Sequence, residues 1–504
     1  MIRRVALLAA LWSLVAVVGL STGACTSLGS VADRPTLANP QVLALLDDPA
    51  LTGTRWGLMV VTAEGEPVVE RRADDRFIPA SNAKIFTTAA AFALIEGLEA
   101  ADADDGTSVR LEARPDGGAP DIALVGSGDP ALGDGPGCVS DCLAELADQT
   151  AARVTRVGDV IGDDRLYPDE RWGPGWSWED MQAGFGTAVS ALTVNDNVVV
   201  LEVAPGDGAG APVRAQWRPG DDLQPLENTA ITIEAGDADL RLERRPGEEA
   251  VRLYGRMPMN APATALRVGL DDPALTAARR FRRLLEARGV TVEGQARARH
   301  RPLALADDRG GDDGAVPAVE PDGVEIARLT RPPLLASLIR TGKLSQNLHA
   351  ELILRRLGGL EGTGSRADGL FQVKAVLAGA GLERSVFDLY DASGLSAYNR
   401  VSPRATTRFL QWTMSQPWGE AWRATLAVGG RDGTLSRRFV GTPLEGRIFA
   451  KTGSLNGVNA LAGFLTAASG RTLVFSIYAN DRPSTAGSSI AVMDRVLLAL
   501  AAEN

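Results

Sequence analysis

The amino-acid sequence predicts an α+β protein in which an antiparallel sheet flanked by helices is interrupted by a long β-rich insertion. Three observations indicate this fold: strand-like segments lie near both ends of the chain, helical segments lie between them, and residues 102–301 form short apolar runs separated by Gly, Asp and Pro. At roughly 150 residues per domain, the 504 residues are enough for two to four domains.

The first elements predict a β-hairpin followed by a helix. Apolar runs at 56–62 and 67–70 predict two strands, and Glu64-Gly65 predicts the turn between them. The next run, from Ser81 to about Leu98, is rich in Ala, Phe, Leu and Ile. It predicts a helix that is buried on much of its surface.

The insertion contains one clear helical pattern and ends in a polar segment. Asp272-Pro273 places a proline in the first turn of a helix that runs to Arg288, and Gly289 follows its end. The acidic and glycine-rich stretch from Asp307 to Gly314 predicts a solvated linker.

The last third of the chain returns to longer elements. Helices are predicted at 333–340 and 347–357, strands at 447–452, 460–466 and 472–478, and a final helix at 489–502. Because strands occur near both ends, we expect the first and last segments to share one sheet, with the β-rich block inserted into that domain.

Charge and composition exclude several classes of function. The formal net charge of −11 argues against a nucleic-acid partner, which needs a basic face. The chain has only two histidines, so we expect neither a multi-histidine metal site nor a Ser-His-Asp triad. Among 52 basic residues, lysine occurs only at positions 84, 343, 374 and 451. Lysine can lose its proton whereas arginine cannot, so these four positions are candidates for chemistry.

The N-terminus predicts an export signal. Arg3 and Arg4 precede an apolar run from Val5 to Leu20, and small residues then lead to Cys25. The run is shorter than the roughly 20 apolar residues of a membrane helix, although a single-span anchor is the alternative. Cys25 is also a candidate for lipidation, in which it becomes the acylated first residue of the mature chain.

The two remaining cysteines, Cys138 and Cys142, are close in sequence. In an exported protein a local disulfide is the favoured interpretation. Two free thiols are the alternative, and a metal site is disfavoured because no histidine or further cysteine lies nearby.

Three short motifs contain the residues for nucleophilic catalysis: Ser81-Asn82-Ala83-Lys84, Ser345-Gln346-Asn347 and Lys451-Thr452-Gly453. Residues three apart on a helix share a face, so Ser81 Oγ and Lys84 Nζ can meet. A serine hydroxyl needs a base to become a good nucleophile, and a lysine is a base only when its pKa is lowered. The helix N-terminus and a second cation, Lys451, both disfavour a charged Lys84.

Structural roles are the alternative for each of these residues. Ser81 is also a suitable helix cap, Ser345 and Asn347 are suitable caps for the next helix, and Lys451 is also compatible with a solvated edge strand. Outside the motifs, we expect His349 on a helix face, Lys343 and Lys374 at the surface, and Trp176 and Trp178 at a domain junction rather than in a sugar-binding platform.

The order and spacing of the motifs resemble those of the penicillin-binding serine D-Ala-D-Ala peptidases. The 264 residues from Ser81 to Ser345 resemble the low-molecular-mass class C group, the carboxypeptidase/endopeptidases of the penicillin-binding protein 4 type, which carry nested inserted domains. Further segments match this group: Leu124–Leu132, Trp176–Asp180, Ser190–Asn197, Asp391–Ser396 with Asn399, and Gly429–Leu435. The Cys138/Cys142 pair is not a hallmark of the family.

The resemblance implies a serine β-lactamase/DD-peptidase-like fold, a reaction that needs no metal or cofactor, and a role for each motif residue. Ser81 attacks the penultimate D-Ala carbonyl and forms an acyl-enzyme, with Lys84 as the proton acceptor. Ser345 relays the proton to the leaving D-Ala, and Asn347 holds Lys84 and the substrate amide.

The third motif is implied to bind substrate. Lys451 supplies positive charge for the terminal carboxylate, the Thr452 and Ser454 hydroxyls bind it, and Gly453 completes the motif. The oxyanion lies between the backbone N–H groups of Ser81 and Ser454. Ser454 stands where threonine is expected, but the hydroxyl is retained.

The resemblance also divides the chain. We expect a signal segment at 1–24, a catalytic domain at 31–101 and 307–504, an inserted domain at 102–185 and 259–306, and a second, nested inserted domain at 186–258.

The implied substrates are peptidoglycan stem peptides ending in D-Ala-D-Ala, and the implied covalent inhibitors are β-lactam antibiotics. The implied location is the periplasm or cell envelope, with membrane contact only through a lipid anchor. Two alternatives are a serine β-lactamase, disfavoured because no additional Glu-centred deacylation motif is evident, and a non-catalytic cell-wall-binding protein, disfavoured by the intact catalytic motifs.

Overall fold

The structure is a computed structural model that describes residues 39–135, 137–138, 141–245, 247–307 and 320–504. The predicted signal segment, Cys25 and most of the predicted linker therefore lie outside the described residues. Within these ranges, none of the helices combines the length and the apolar character that a membrane crossing requires.

A six-stranded antiparallel sheet forms the centre of the main domain. Its strands, in spatial order, are Ala427–Val428, Ile448–Leu455, Val458–Thr466, Thr472–Asn480, Arg55–Thr62 and Pro67–Arg71. The N-terminal hairpin joins the C-terminal strands where Leu58 pairs with Ile477. The prediction that the two ends of the chain share one sheet is therefore confirmed.

Helices cover both faces of the central sheet. The described residues contain ten α-helices: Pro40–Leu46, Lys84–Leu94, Leu143–Ala151, Pro273–Glu286, Leu334–Ile339, Asn347–Gly358, Arg366–Gly379, Pro403–Met414, Gly419–Arg423 and Ser489–Glu503. The Lys84–Leu94 helix packs on one face with Asn347–Gly358 and Arg366–Gly379. The final helix packs on the opposite face. Apolar burial on both faces is what holds this domain together.

The insertion forms its own sheets. A five-stranded sheet contains, in order, Ala296–Arg301, Val160–Pro168, Asp121–Val125, Ser108–Glu112 and Val324–Arg328. A three-stranded sheet contains Thr264–Gly269, Val198–Ala204 and Arg214–Trp217, and a four-stranded sheet contains Leu226–Asn228, Ile231–Ile233, Asp239–Arg244 and Val251–Pro258. A short pair in the insertion joins Arg156–Val157 to Thr291–Val292. Another short pair, Phe387–Asp388 with Arg400–Val401, belongs to the main domain.

At two of the predicted domain boundaries, a strand pairs with a sheet of the domain on the other side of the boundary. Val324–Arg328, assigned to the second catalytic segment from 307, pairs instead with Ser108–Glu112 of the inserted sheet. Thr264–Gly269, placed beyond the nested domain that was predicted to end at 258, pairs with Val198–Ala204. A short apolar strand does not reveal its partner in sequence, because any open sheet edge satisfies its backbone. The remaining boundaries stay predictions.

Two predicted segments have different limits in the structure. The helix predicted to reach Leu98 ends at Leu94, because Ile95 is extended and Gly97 adopts a positive φ of 68°. Asp307, the predicted start of the solvated linker, is buried and its carboxylate lies 2.8 Å from Arg301. Asp307 is therefore packed against the insertion and is not part of a solvated linker.

Candidate active site

Ser81 lies in a tight turn that leads into a buried helix. A 3₁₀ turn at Ala80–Ala83 precedes the Lys84–Leu94 helix, and its backbone is packed closely against Gly394. A Cβ atom on Gly394 would lie 1.9 Å from the carbonyl oxygen of Ala80, so only glycine fits at this position. The close approach brings the 391–396 loop under the serine.

Lys84 is completely buried and has three partners. Its Nζ lies 3.0 Å from Ser81 Oγ, 2.6 Å from Asn347 Oδ1 and 2.6 Å from the carbonyl oxygen of Ser393. Burial lowers the pKa of Lys84 to about 7, and the negative charges of Asp391 and Glu351 oppose that shift. Near neutral pH the amine therefore exists in both protonation states.

The three partners determine where the lone pair of a neutral Lys84 points. Asn347 Nδ2 donates to the Phe185 carbonyl at 2.8 Å, which directs Oδ1 toward Lys84. Asn347 Oδ1 and the Ser393 carbonyl can only accept hydrogen bonds, so they take the two hydrogens of the neutral amine. The lone pair then faces the hydroxyl of Ser81, which is the one partner able to donate.

The second and third motifs meet beside this group. Ser345 has a left-handed conformation with φ of 63° at the end of a π-helical turn, Arg340–Leu344. Lys451 Nζ donates to Ser345 Oγ at 2.8 Å and to the Thr452 carbonyl at 2.9 Å. Burial and the charge of Lys84 lower the pKa of Lys451 well below its usual value.

The strand Ile448–Leu455 is packed against the turn that carries Ser81. A Cβ atom at Gly453 would lie 2.7 Å from the Pro79 carbonyl oxygen, which explains the glycine in this motif. The two neighbouring hydroxyls are oriented by hydrogen bonds, from Thr452 Oγ1 to Thr434 Oγ1 at 2.8 Å and from Asn459 Nδ2 to Ser454 Oγ at 2.9 Å.

The structure thus brings the three motifs into one site. Lys84 connects the first motif to Asn347 of the second, and Lys451 connects the third motif to Ser345. Several contributors to the site lie outside the three motifs: the Ser393 carbonyl, Asp391, Glu351, Thr434 and the Phe185 carbonyl. Asp391, Ser393 and Thr434 lie in segments that matched the family, whereas Glu351 had no signal beyond its position one helical turn after Asn347.

The remaining two lysines lie outside the three motifs and are partly exposed. Lys343 is partly buried, and its Nζ lies 2.5 Å from Asp432 and donates to the Leu426 carbonyl at 3.1 Å. Lys374 is also partly buried, on the Arg366–Gly379 helix. Both side chains keep partial solvent exposure, so neither contradicts the expectation of a surface position.

The other candidate residues lie outside the catalytic group. Cys138 and Cys142 form a disulfide. His349 is buried on its helix, with Nε2 3.1 Å from Asp196 Oδ1. Trp176 lies at the junction between the insertion and the main domain, where its Nε1 donates to Asp391 at 2.9 Å, but Trp178 is 48% exposed. The described residues contain no cluster of ligands suited to a metal ion.

Comparison with known proteins identifies the family. The model of the D-Ala-D-Ala carboxypeptidase 3 (S13) family matches residues 38–499. A D-alanyl-D-alanine carboxypeptidase from an Actinomadura species is 35% identical over 486 residues, covering 93% of this chain and 85% of the relative. The D-alanyl-D-alanine carboxypeptidase DacB of Haemophilus influenzae is 25% identical over 360 residues, covering 70% of each chain.

The fold is shared with a solved structure. The crystal structure of penicillin-binding protein 4 from Haemophilus influenzae matches with a TM-score of 0.77 at 22% identity, covering 91% of this chain and 98% of that one. The predicted fold class, family and enzyme class are therefore confirmed. The chain belongs to the D-Ala-D-Ala carboxypeptidase 3 (S13) family of serine peptidases.

Proposed function

We propose that this protein cleaves D-Ala-D-Ala bonds in peptidoglycan stem peptides, with Ser81 as nucleophile and Lys84 as general base. The observation that carries the proposal is the arrangement at Lys84 Nζ, where two acceptor-only oxygens leave the amine lone pair to the hydroxyl of Ser81. A lowered pKa makes the neutral amine available near neutral pH.

Acylation begins when the Ser81 proton passes to Lys84 and Oγ forms a bond to the penultimate D-Ala carbonyl carbon. The oxyanion accepts hydrogen bonds from the backbone N–H groups of Ser81 and Ser454. Collapse of the intermediate breaks the C–N bond. The departing D-Ala nitrogen takes the hydroxyl proton of Ser345, and Ser345 regains a proton from the Lys84 ammonium, so the proton removed from Ser81 passes to the leaving amine and Lys84 returns to its neutral form. Because Lys451 donates to Ser345 Oγ, the hydrogen of that hydroxyl is free to point toward the leaving group.

Water then hydrolyses the acyl-enzyme, which releases the shortened peptide and restores Ser81. Lys451, Thr452 and Ser454 bind the terminal carboxylate of the substrate, with Lys451 supplying the positive charge. The same attack opens a β-lactam ring and leaves a covalent adduct. A crystal structure of the Haemophilus influenzae penicillin-binding protein 4 contains a β-lactam, and this supports the extension to β-lactams.

We infer that the protein works in the periplasm or cell envelope. The Cys138–Cys142 disulfide supports an oxidising compartment, and the charged and apolar N-terminal segment supports export. A lipid anchor at Cys25 stays a prediction. Mass analysis of the mature N-terminus tests it, since an acylated Cys25 carries the added mass of its lipid.

The test of the catalytic proposal is covalent labelling by a penicillin. We expect intact-mass analysis to find one adduct per wild-type chain and none in Ser81→Ala, because the substitution removes the attacking oxygen. Absence of an adduct on the wild type would sink the proposal. Rapid, continued turnover of nitrocefin would indicate a β-lactamase instead, and binding of peptidoglycan without release of D-Ala would indicate a non-catalytic wall-binding protein.

A further inference from the structure

Glu351 is a buried carboxylate directly behind the catalytic lysine. It lies one helical turn after Asn347 on the Asn347–Gly358 helix and is only 2% exposed. Its Oε1 accepts hydrogen bonds from the backbone N–H groups of Ala392 at 3.1 Å and Ser393 at 2.8 Å. A buried carboxylate that accepts two backbone hydrogen bonds holds the chain segment that donates them.

That segment carries the carbonyl that binds Lys84. The Ser393 carbonyl accepts from Lys84 Nζ, and the next backbone N–H, of Gly394, donates to Asp391 Oδ1 at 3.0 Å. The peptide group between Ser393 and Gly394 is thus held by Asp391 on one side and Lys84 on the other. Glu351 fixes the two N–H groups immediately before it.

We propose that Glu351 is a positioning residue for the proton transfer from Ser81: it fixes the Ser393 carbonyl that directs the Lys84 lone pair, and its negative charge supports the basicity of the amine. The inference rests on the proposed role of Lys84 as general base. Among the described residues, Glu351 forms its hydrogen bonds with the backbone of Ala392 and Ser393 and not with Ser81, so it acts through Lys84.

The charges around Lys84 come from three elements. Glu351 lies on the Asn347–Gly358 helix, Asp391 on the loop beneath, and Lys451 on the neighbouring strand. Asp391 accepts five hydrogen bonds, from Trp176, Ser393, Gly394, Ser396 and Asn399. Arg355, which also faces Glu351, is paired with Glu170 at 2.6 Å.

The sign of the effect follows from these charges. Burial and the neighbouring Asp391 raise the pKa of Glu351 to about 7, so its negative charge is present on the alkaline side of neutrality. Replacing it by the neutral amide removes a charge that favours the Lys84 ammonium, and the pKa of Lys84 falls. Acylation requires the neutral amine, so the acid limb of the pH profile of the acylation rate moves to lower pH. Because the amine is then a weaker base, the plateau of the rate at high pH is lower.

The experiment measures the acylation rate of Glu351→Gln by a fluorescent penicillin from pH 5 to 10. We expect the acid-limb midpoint to fall by about 0.5 to 1 pH unit, as when a nearby charge is lost, and the plateau rate to fall by roughly tenfold. Glu351→Asp keeps the charge but shortens the side chain, so it should retain the wild-type midpoint with a lower plateau.

Asp368→Asn is the matched control, because it removes a buried carboxylate that accepts hydrogen bonds from Thr363 and is not among the charges that act on Lys84 or Glu351. Its acid limb should coincide with that of the wild type. An unchanged acid-limb midpoint in Glu351→Gln would overturn the inference. It would also be overturned if Glu351→Asp, which keeps the charge, shifted the midpoint as much as Glu351→Gln does. Lack of wild-type acylation would refute the function of Ser81 itself, so the two failures are distinguishable.

Discussion

The two buried lysines of the site have opposite surroundings. Lys84 has two carboxylates behind it, Glu351 and Asp391, and its pKa of about 7 reflects burial partly offset by their charge. Lys451 is equally buried, but in the described residues it forms no ion pair, and its partners are the Ser345 hydroxyl and the Thr452 carbonyl.

This difference separates a proton acceptor from an anion receptor. The lysine with carboxylates nearby can gain and lose a proton at small cost, which a general base needs. The lysine without a counter-charge is destabilised in its charged form until an anion arrives. A substrate carboxylate supplies that charge, so occupancy of the site and protonation of Lys451 are coupled.

The largest expected effect comes from Lys84→Arg. Arginine keeps the positive charge but cannot release its proton at accessible pH, so it cannot accept the Ser81 proton. We expect the acylation rate by penicillin to fall by about 10²- to 10⁴-fold, measured in single-turnover experiments. Lys374→Arg, on the Arg366–Gly379 helix, is the control and should acylate normally. Near-normal acylation of Lys84→Arg would refute the base assignment.

Lys451→Ala tests the role of the second buried lysine as an anion receptor. It removes the cation proposed to bind the terminal carboxylate, so kcat/KM for a peptide ending in D-Ala-D-Ala should fall by about 10- to 100-fold. A thioester substrate without a terminal carboxylate should lose much less. The ratio of the two rates is the measurement, because general damage to the site lowers both equally. Equal losses on the two substrates would contradict the proposed role.

The residues of the three motifs could be identified from the sequence, but the residues that position them could not. Ser81 and Lys84 are predictable because helical spacing alone brings them together. Glu351 and Thr434 are not, because each acts through a residue that is close only after the chain has folded. The same limit applies to Val324–Arg328, a strand that joins the inserted sheet although the sequence analysis placed its segment in the catalytic domain.

The Pro403–Met414 helix was not predicted from the sequence for a different reason, namely its content of residues with low helix propensity. Ser402-Pro403 is a normal helix start, and the Ser402 hydroxyl accepts from the Ala405 N–H at 3.2 Å, yet the Pro403–Met414 helix was not predicted. Its threonines at 406, 407 and 413 weaken the helical signal. They are buried in the fold and bond to backbone carbonyls of the preceding turn, so tertiary packing overrides their low propensity.

The smallest effect is expected from Thr434→Val, which tests whether the orientation of the Thr452 hydroxyl contributes to binding of the substrate carboxylate. Thr452 Oγ1 donates to Thr434 Oγ1, and valine of nearly the same shape removes that acceptor. Thr452 then loses one fixed orientation but keeps its hydroxyl, so KM for the D-Ala-D-Ala peptide should rise by about 3- to 10-fold, the worth of one neutral hydrogen bond.

Thr434→Ser restores the hydroxyl and should restore KM, which separates the hydrogen bond from the packing of the side chain. The acylation rate by penicillin at saturation should stay within about twofold of the wild type in both variants, because the hydrogen bond orients Thr452 and does not involve Lys84. If Thr434→Val instead lowered the saturated rate and left KM unchanged, Thr452 would belong to the proton-transfer side of the site. The assignment of Thr452 to anion binding with Lys451 would then be wrong, because Thr452 would act in proton transfer with Lys84.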